Sequence, residues 1–332
     1  MSYYPRFSAR FAVFLNELRG KRVVVIGHQR PDGDCIGSQV ALCRVLRAGG
    51  VDAVGMNPDA VPRRIKFLLG DTPFFKRDEI EHDRIAVFSD CADHGRAGEK
   101  VKALYPKPFA CFDHHMSNPG FGQHNFVDTA SAATAEVLAG LFLDAGLSMD
   151  AITAQALYTG IMTDTGQFRF PSTSERVFRI CAELIRCGAQ PAQAGMELYE
   201  RESSGKLKLL QHYISSLKFE CGGRVCIGVL PLGIFEQTGA TVEDTEGLVD
   251  YARSIESVEI GVLIEERPGV IKASLRAKSS NFRMDTVASQ FGGGGHASAA
   301  GLNCHDTLAA FYPKLVGTLT QRLAEYDASH AK

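Results

Sequence analysis

No stretch of this 332-residue sequence approaches the roughly 20 uninterrupted apolar residues that a membrane-spanning helix requires, so no membrane association is expected. The opening segment, MSYYPRFSARFAVFLNELRGKR, has no continuous apolar core followed by a small-residue cleavage site. It predicts an amphipathic helix of the mature chain rather than a signal peptide. There is no CxxC pair among the nine cysteines, which removes the spacing expected of a dithiol or a thiolate zinc site. An odd number of cysteines, with Cys43 and Cys181 inside apolar helical patterns, predicts buried free thiols in a reducing cytoplasm. Net charge is also scarce: 36 Lys and Arg against 38 Asp and Glu leave −2. A protein that holds long nucleic acid through many phosphate contacts carries a basic surface. A nucleic-acid ligand of this chain is therefore expected to be short.

What is present reads as a soluble globular protein, with 45% hydrophobic and 22% charged residues and length enough for two domains. Over the first 190 residues apolar runs alternate with amphipathic stretches. Arg22–Ile26, Val51–Gly55, Ile85–Ser89 and Phe109–Phe112 predict strands; Cys35–Arg47, Thr134–Ala145, Ala151–Met162 and Ser174–Cys187 predict helices. Strands separated by helices imply an α/β domain, a parallel sheet flanked by helices. Residues 191–217 are helical and polar in pattern and are expected to form a linker. From residue 218 to 332 the strands VCIGVL, SVEIGVLIEE and GVIKASLRAK crowd together, with one helix between the first two and another closing the chain. This predicts a smaller α+β domain.

Four segments of the first domain place Asp and His where strands or a helix are expected to end: GHQRPDGD (His28, Asp32, Asp34), SDCADHGR (Asp90), FDHHMSN (Asp113, His114, His115) and TGIMTDTGQF (Asp164). Taken singly, each is explained by turn formation or helix capping. Taken together they converge on the carboxyl edge of an open α/β sheet, where sites form. Carboxylates gathered in one crevice resist ionisation unless cations are present. Mixed carboxylate and imidazole donors without a thiolate pair suit Mn²⁺ and also accommodate Fe²⁺, Co²⁺ or Zn²⁺. The donors suffice for two divalent metal ions, a recurring solution for phosphoester hydrolysis.

At these residues the sequence resembles the DHH phosphoesterase superfamily, whose motif stands here as Asp113-His114-His115. The run GGGGHASAAG, Gly292–Gly301, is similar to the signature of the DHH-associated domain, so the resemblance covers nearly the whole chain. Length and two-domain plan look most like the bacterial nanoRNase and pAp phosphatase branch. The resemblance implies one metal held by His28, Asp32 and Asp90, and another by Asp34, His114 and Asp164, with Asp90 bridging. It implies that His115 faces the substrate phosphate as a catalytic group, and Asp113 is expected to orient a neighbouring imidazole. His28 separates this chain from DHH exonucleases whose first motif lacks that histidine.

On a strand, Lys272, Ser274, Arg276 and Lys278 share one face and Ile271, Ala273, Leu275 and Ala277 the other. Such a face is most often simply solvated. Here no acidic residue interrupts 270–284, and the glycine run follows. Gly293, Gly294 and Gly295 are expected to bring backbone N–H groups close to an anion. In the family the equivalent loop and histidine hold a terminal phosphate or nucleotide, which assigns Arg276 and His296 to substrate. Arg96, six residues after Asp90, is a further phosphate candidate.

The expected activity is hydrolysis of short 5′-phosphorylated oligonucleotides such as nanoRNA, pGpG or pApA to mononucleotides, and of 3′-phosphoadenosine 5′-phosphate (pAp) to AMP. A family II inorganic pyrophosphatase would share the metal motifs but lack the GGGGH signature. A processive exonuclease would be longer. A non-catalytic nucleotide sensor would have lost ligands, and here every expected position is filled. A homodimer is an assembly the sequence leaves open.

Overall fold

The computed structural model describes residues 2–75 and 83–330 and divides the chain into two units, Met1–Arg201 and Glu202–Lys332. In the first, α1 (Pro5–Glu17) is the expected amphipathic helix, with Pro5 at the start where a missing N–H costs nothing. Its Phe7, Phe11 and Phe14 share one buried stripe, and Phe11 and Phe14 meet Phe112 and Phe126 edge-on. Five strands follow: β1 (Arg22–Ile26), β2 (Asp52–Met56), β3 (Ile85–Ser89), β4 (Ala110–Asp113) and β5 (His124–Val127). They form one parallel sheet in the order β2-β1-β3-β4-β5. Both faces are covered, which is why β1, β3 and β4 read as continuous apolar runs. β5 escaped the sequence reading because HNFV, at the sheet edge, has a single fully buried residue, Phe126.

The helices of this unit are α2 (Gly33–Ala48), α3 (Glu99–Leu104), α4 (Thr134–Asp144), α5 (Ala151–Asp164), α6 (Glu175–Arg186) and α7 (Pro191–Tyr199). Asp32 caps α2 by accepting the Cys35 N–H at 3.0 Å. Thirteen of the sixteen α2 residues are buried, because α2 packs on the sheet and against α5. Two glycines set those approaches. A Cβ at Gly37 would lie 2.3 Å from the Ala156 carbonyl oxygen, and one at Gly160 would meet the Ala135 Cβ at 2.8 Å and Asp34 Oδ1 at 3.0 Å. Close helix contact thus brings the start of α2, the start of α4 and the end of α5 to one place.

In the second unit, α8 (Ser204–Ser215) precedes β6 (Lys218–Glu220), β7 (Val225–Leu230), α9 (Ile234–Thr238) and α10 (Leu248–Ser254). Then come β8 (Ile260–Arg267), β9 (Val270–Ala277), α11 (Met284–Ser289), β10 (Gly294–His296), β11 (Ala299–Cys304) and α12 (Leu308–His330). The mixed sheet runs β10-β11-β9-β8-β7-β6, with β7 and β8 parallel and all other pairs antiparallel. One face packs on α11 and α12, the other on α8 and α10. The expected helical linker, residues 191–217, is two helices with separate allegiances. Leu198 of α7 joins the apolar cluster of α2 and α5, whereas Leu209 and Tyr213 of α8 belong to the second core.

Replacing Gly37 with valine forces atoms into the backbone of α5, and overpacking of this kind costs about 1–3 kcal/mol. The expected result is a lower urea midpoint with an unchanged slope. An unaltered midpoint would mean that α5 moves aside without cost.

Candidate metal centre

Adjacent strands β1, β3 and β4 each deliver a donor just past or at their carboxyl ends: His28, Asp90 and Asp113 with the two following histidines. His28 Nε2 lies 3.3 Å from Asp90 Oδ2 and 4.0 Å from Asp32 Oδ1. His114 Nε2 lies 3.2 Å from Asp164 Oδ2, 3.7 Å from Asp90 Oδ1 and 4.0 Å from Asp34 Oδ2. Asp90 therefore stands between two sets of donors, one oxygen toward each. Donor atoms of His28, Cys35 and Asp90 fall within 4.8 Å of one another, as do those of Asp34, His114 and Asp164, and of Asp90, His114 and His115. Ligands bound at about 2.0–2.2 Å on opposite sides of a cation are separated by little less than this span. The donor chemistry, carboxylate with imidazole, fits hard to borderline divalent ions.

Asp90 has φ of +59°, a left-handed conformation rarely adopted by a non-glycine residue. It is held there by its N–H to the Phe112 carbonyl at 2.9 Å, while Thr134 Oγ1 donates to Oδ1 at 2.9 Å. Such outliers persist where the surroundings over-determine them, as at functional sites. Burial opposes its charge, yet His28, His114 and His115 hold the carboxyl below the usual range. Asp34 is fully buried and is pushed well above the ordinary value, first by burial and then by Asp90 and Asp164. Its oxygens accept the Thr134 and Ala135 N–H groups at 2.7 and 2.8 Å at the start of α4, and Ser38 Oγ donates at 3.2 Å. Burial disfavours a charged His114, but Asp164, Asp34 and Asp90 carry it up to about 10. The imidazole protons neutralise the same carboxylates that a divalent cation would neutralise. His28 Nδ1 faces the Gln29 carbonyl at 2.8 Å, which turns Nε2 into the cluster.

Asp113 is also fully buried, but faces elsewhere. Its Oδ1 meets His115 Nδ1 at 2.7 Å and its Oδ2 accepts from Asn118 Nδ2 at 2.6 Å. Asn118 donates in addition to the Cys91 carbonyl at 3.1 Å. This arrangement directs His115 Nε2 away from Asp113. His115 Nδ1 also comes within 3.8 Å of Asp90 Oδ1. Thr134, Ser38 and Asn118 were missed from the sequence. Asn118 stood inside the DHHMSN motif, whereas Thr134 read only as a helix start.

Arg96 lies beside the first motif, its carbonyl accepting the Gln29 N–H at 2.9 Å, and its Nε is buried without a partner. The glycine run corrects one expectation: it is a turn entering a strand, not a loop. Gly294, Gly295 and His296 pair with β11, and Cβ atoms at Gly293 and Gly295 would meet β11 at 2.4 and 2.6 Å. Strand packing alone therefore requires glycine at those two positions. Gly294 has open space. The register places His296, Ala299, Arg276 and Gly261 in one row across four strands, on one face. The expected basic face is partly neutralised, since Lys272 pairs with buried Glu265 at 2.8 Å and Lys278 donates to the carbonyls of Ile255 and Glu256. Arg276 donates to the Leu275 carbonyl at 3.0 Å, with no carboxylate within 4.0 Å among the described residues. Burial lowers its pKa, the cost of a cation without an adjacent anion.

Burial works against a charged His115, but the Asp113 carboxylate and then Asp90 raise its pKa. In metal-free protein Asp113→Asn removes the nearer negative charge, so His115 is expected to titrate at lower pH than in wild type. Ring-proton NMR reads this directly, and an unchanged titration would show that the pair is not electrostatically coupled.

Comparison with known proteins follows the same division. The DHH family, N-terminal domain, matches residues 22–161, and the DHHA1 domain matches residues 222–325. The chain is 32% identical over 301 residues to the bifunctional oligoribonuclease and PAP phosphatase NrnA of Thermus thermophilus, covering 90% of this chain and 89% of that protein. It is 24% identical over 298 residues to the protein of the same name in Bacillus subtilis, covering 85% and 89%. A crystal structure of an exopolyphosphatase-related protein from Bacteroides fragilis superposes with a TM-score of 0.87 at 23% identity, over 98% of both chains. Exonuclease RecJ bound to manganese shares the fold at a TM-score of 0.53 and 14% identity, over 95% of this chain and 94% of RecJ. Among the described residues no helix is long and apolar enough to cross a membrane. Identity at this level across so much of both proteins carries one conclusion: the chain belongs to the DHH family, with a DHHA1 domain behind its DHH domain.

Proposed function

We propose that this protein is a two-metal phosphoesterase that hydrolyses short 5′-phosphorylated oligonucleotides to mononucleotides, and also pAp to AMP. The observation that carries the reading is Asp90, held in a left-handed conformation with one oxygen toward His28 and the other toward His114. The relatives named oligoribonuclease and PAP phosphatase support the substrate class. His28, Asp32 and Asp90 would hold one ion and Asp34, His114 and Asp164 the other, with Asp90 shared and Mn²⁺ favoured by the donor set. Such ions supply a nucleophilic water at neutral pH and offset charge on the attacking and leaving oxygens. The chain's own groups orient the ester. His115, fixed through Nδ1 by Asp113, presents Nε2 to the phosphate and in its charged form passes a proton to the departing ribose oxygen. Arg96, with a buried unpartnered Nε, offers a donor for phosphate, and Arg276 with His296 offers a grip for a terminal phosphate.

Chelated protein should be inactive and Mn²⁺ should restore turnover better than Mg²⁺. Asp90→Ala should lose both bound metal and activity, whereas His115→Ala should keep its metal and lose about 100-fold or more in kcat. Metal analysis beside steady-state kinetics decides this. Full activity under stringent chelation would sink the mechanism, and an ion missing from His115→Ala would make His115 a ligand.

A ladder of substrate lengths tests the substrate class. With a net charge of −2, efficiency should peak at about two to five nucleotides and fall roughly tenfold or more for 20-mers. Arg276→Ala removes a charge-assisted contact of about 1.5–3 kcal/mol. It should raise KM for ligands bearing the gripped phosphate while leaving metal content unchanged. Equal efficiency on long and short substrates, or an unchanged KM, would refute this assignment.

A further inference from the structure

Cys35 has no part in the roles assigned above. It follows Asp34 in the first turn of α2 and is fully buried. Six cysteines are buried, and five of them lie in apolar clusters: Cys43 and Cys181 in one, Cys91 and Cys111 in another, and Cys226 in a third. Cys35 belongs to none of the clusters formed by the described residues. Its sulfur instead shares a group with a ring nitrogen of His28 and a carboxylate oxygen of Asp90, all within 4.8 Å of one another.

The polar surroundings of that sulfur provide an independent observation. Gln39 Oε1 lies at 3.7 Å and Asn57 Oδ1 at 3.9 Å, so a neutral thiol has acceptors for its S–H. The Gln39 amide cannot turn over, because its Nε2 donates to the Val25 and Met56 carbonyls at 2.8 and 2.9 Å. The Asn57 amide can. Asn57 is 7% exposed and its Nδ2 is buried without a partner. Oxygen and nitrogen of such an amide exchange places on a half-turn, and that rotation would aim an N–H at the sulfur. A buried donor without a partner is costly, and a thiolate is an acceptor that would relieve it.

We propose that Cys35 is a sulfur donor at the His28–Asp90 end of the centre, so that this end binds thiophilic divalent ions such as Co²⁺ or Zn²⁺ through a thiolate bond. Among the described residues the Asp34–His114–Asp164 end has no sulfur donor and favours harder ions, so the two ends differ in the metal they select. Binding replaces the S–H bond with a sulfur–metal bond and releases one proton to solvent, with no change of oxidation state. The inference rests on the metal-centre reading above, and the test separates the two.

Full-length chelated protein is titrated with Co²⁺ while the near-ultraviolet sulfur-to-cobalt charge-transfer band and the visible d–d bands are recorded. Wild type, Cys35→Ser and Cys35→Ala are compared, with folding of each checked by circular dichroism. Wild type should show both sets of bands. Both variants should lose the charge-transfer band, keep d–d bands, and bind Zn²⁺ about tenfold or more weakly at the affected end. Visible bands without a charge-transfer band in wild type, or a charge-transfer band that survives either substitution, overturn the role of Cys35 and leave the metal centre standing. Absence of both sets of bands in wild type overturns the metal centre itself.

Discussion

Carboxylates brought together in a crevice with little water repel one another, and positive charge must be supplied for them to stay ionised. Most of the first domain's detail serves this constraint. Asp34 is satisfied by two backbone N–H groups at the start of α4 and by Ser38, Asp90 by the Thr134 hydroxyl and three imidazoles. Asp113 is withdrawn from the crowd and spends its charge on His115 and Asn118. The same Thr134 touches both Asp34 and Asp90, through its N–H and its hydroxyl. The start of α4 thus couples the two ends of the centre without contributing a donor of its own.

That coupling depends on helix spacing. The N–H groups of α4 reach Asp34 where the helices pack closely: a Cβ at Gly37 would lie 2.3 Å from the Ala156 carbonyl oxygen, and one at Gly160 would lie 3.0 Å from Asp34 Oδ1. A parallel sheet places strand ends side by side at one edge, but it does not by itself fix how far the helices stand from that edge. Small residues at the helix contacts do so here. Asp164, at the end of α5, joins the cluster by the same packing that buries the middle of α5.

The second domain uses part of its charge to hold its own sheet. Of the basic residues on β9 and directly after it, Lys272 is tied to a buried glutamate and Lys278 to backbone carbonyls, so both serve the fold. Arg276 has no adjacent carboxylate among the described residues and is flanked in its row by Ala299 and Gly261. Its burial without such a carboxylate lowers its pKa.

The sequence by itself determined the α/β and α+β division, the strands β1, β3 and β4, the amphipathic helix at the start of the chain, and the set of Asp and His residues that converge. Apolar periodicity and strand-end chemistry are local properties, readable along the chain. It could not disclose β5, β10 or β11, whose residues are half-polar or too small to show a period and which become strands only through their neighbours. That Asp113 orients a neighbouring imidazole was implied by the resemblance, but which imidazole it meets, His115, was decided only where the backbone turns the motif. The glycine run read as a loop because glycine is conformationally free; the closeness of β10 to β11 decided otherwise. Thr134, Asn118, Cys35 and the left-handed Asp90 acquired their meaning from the residues the fold brings beside them. Only tertiary structure could decide them, since hydrogen bonds, burial and a strained φ are set by what packs alongside and not by the order of residues.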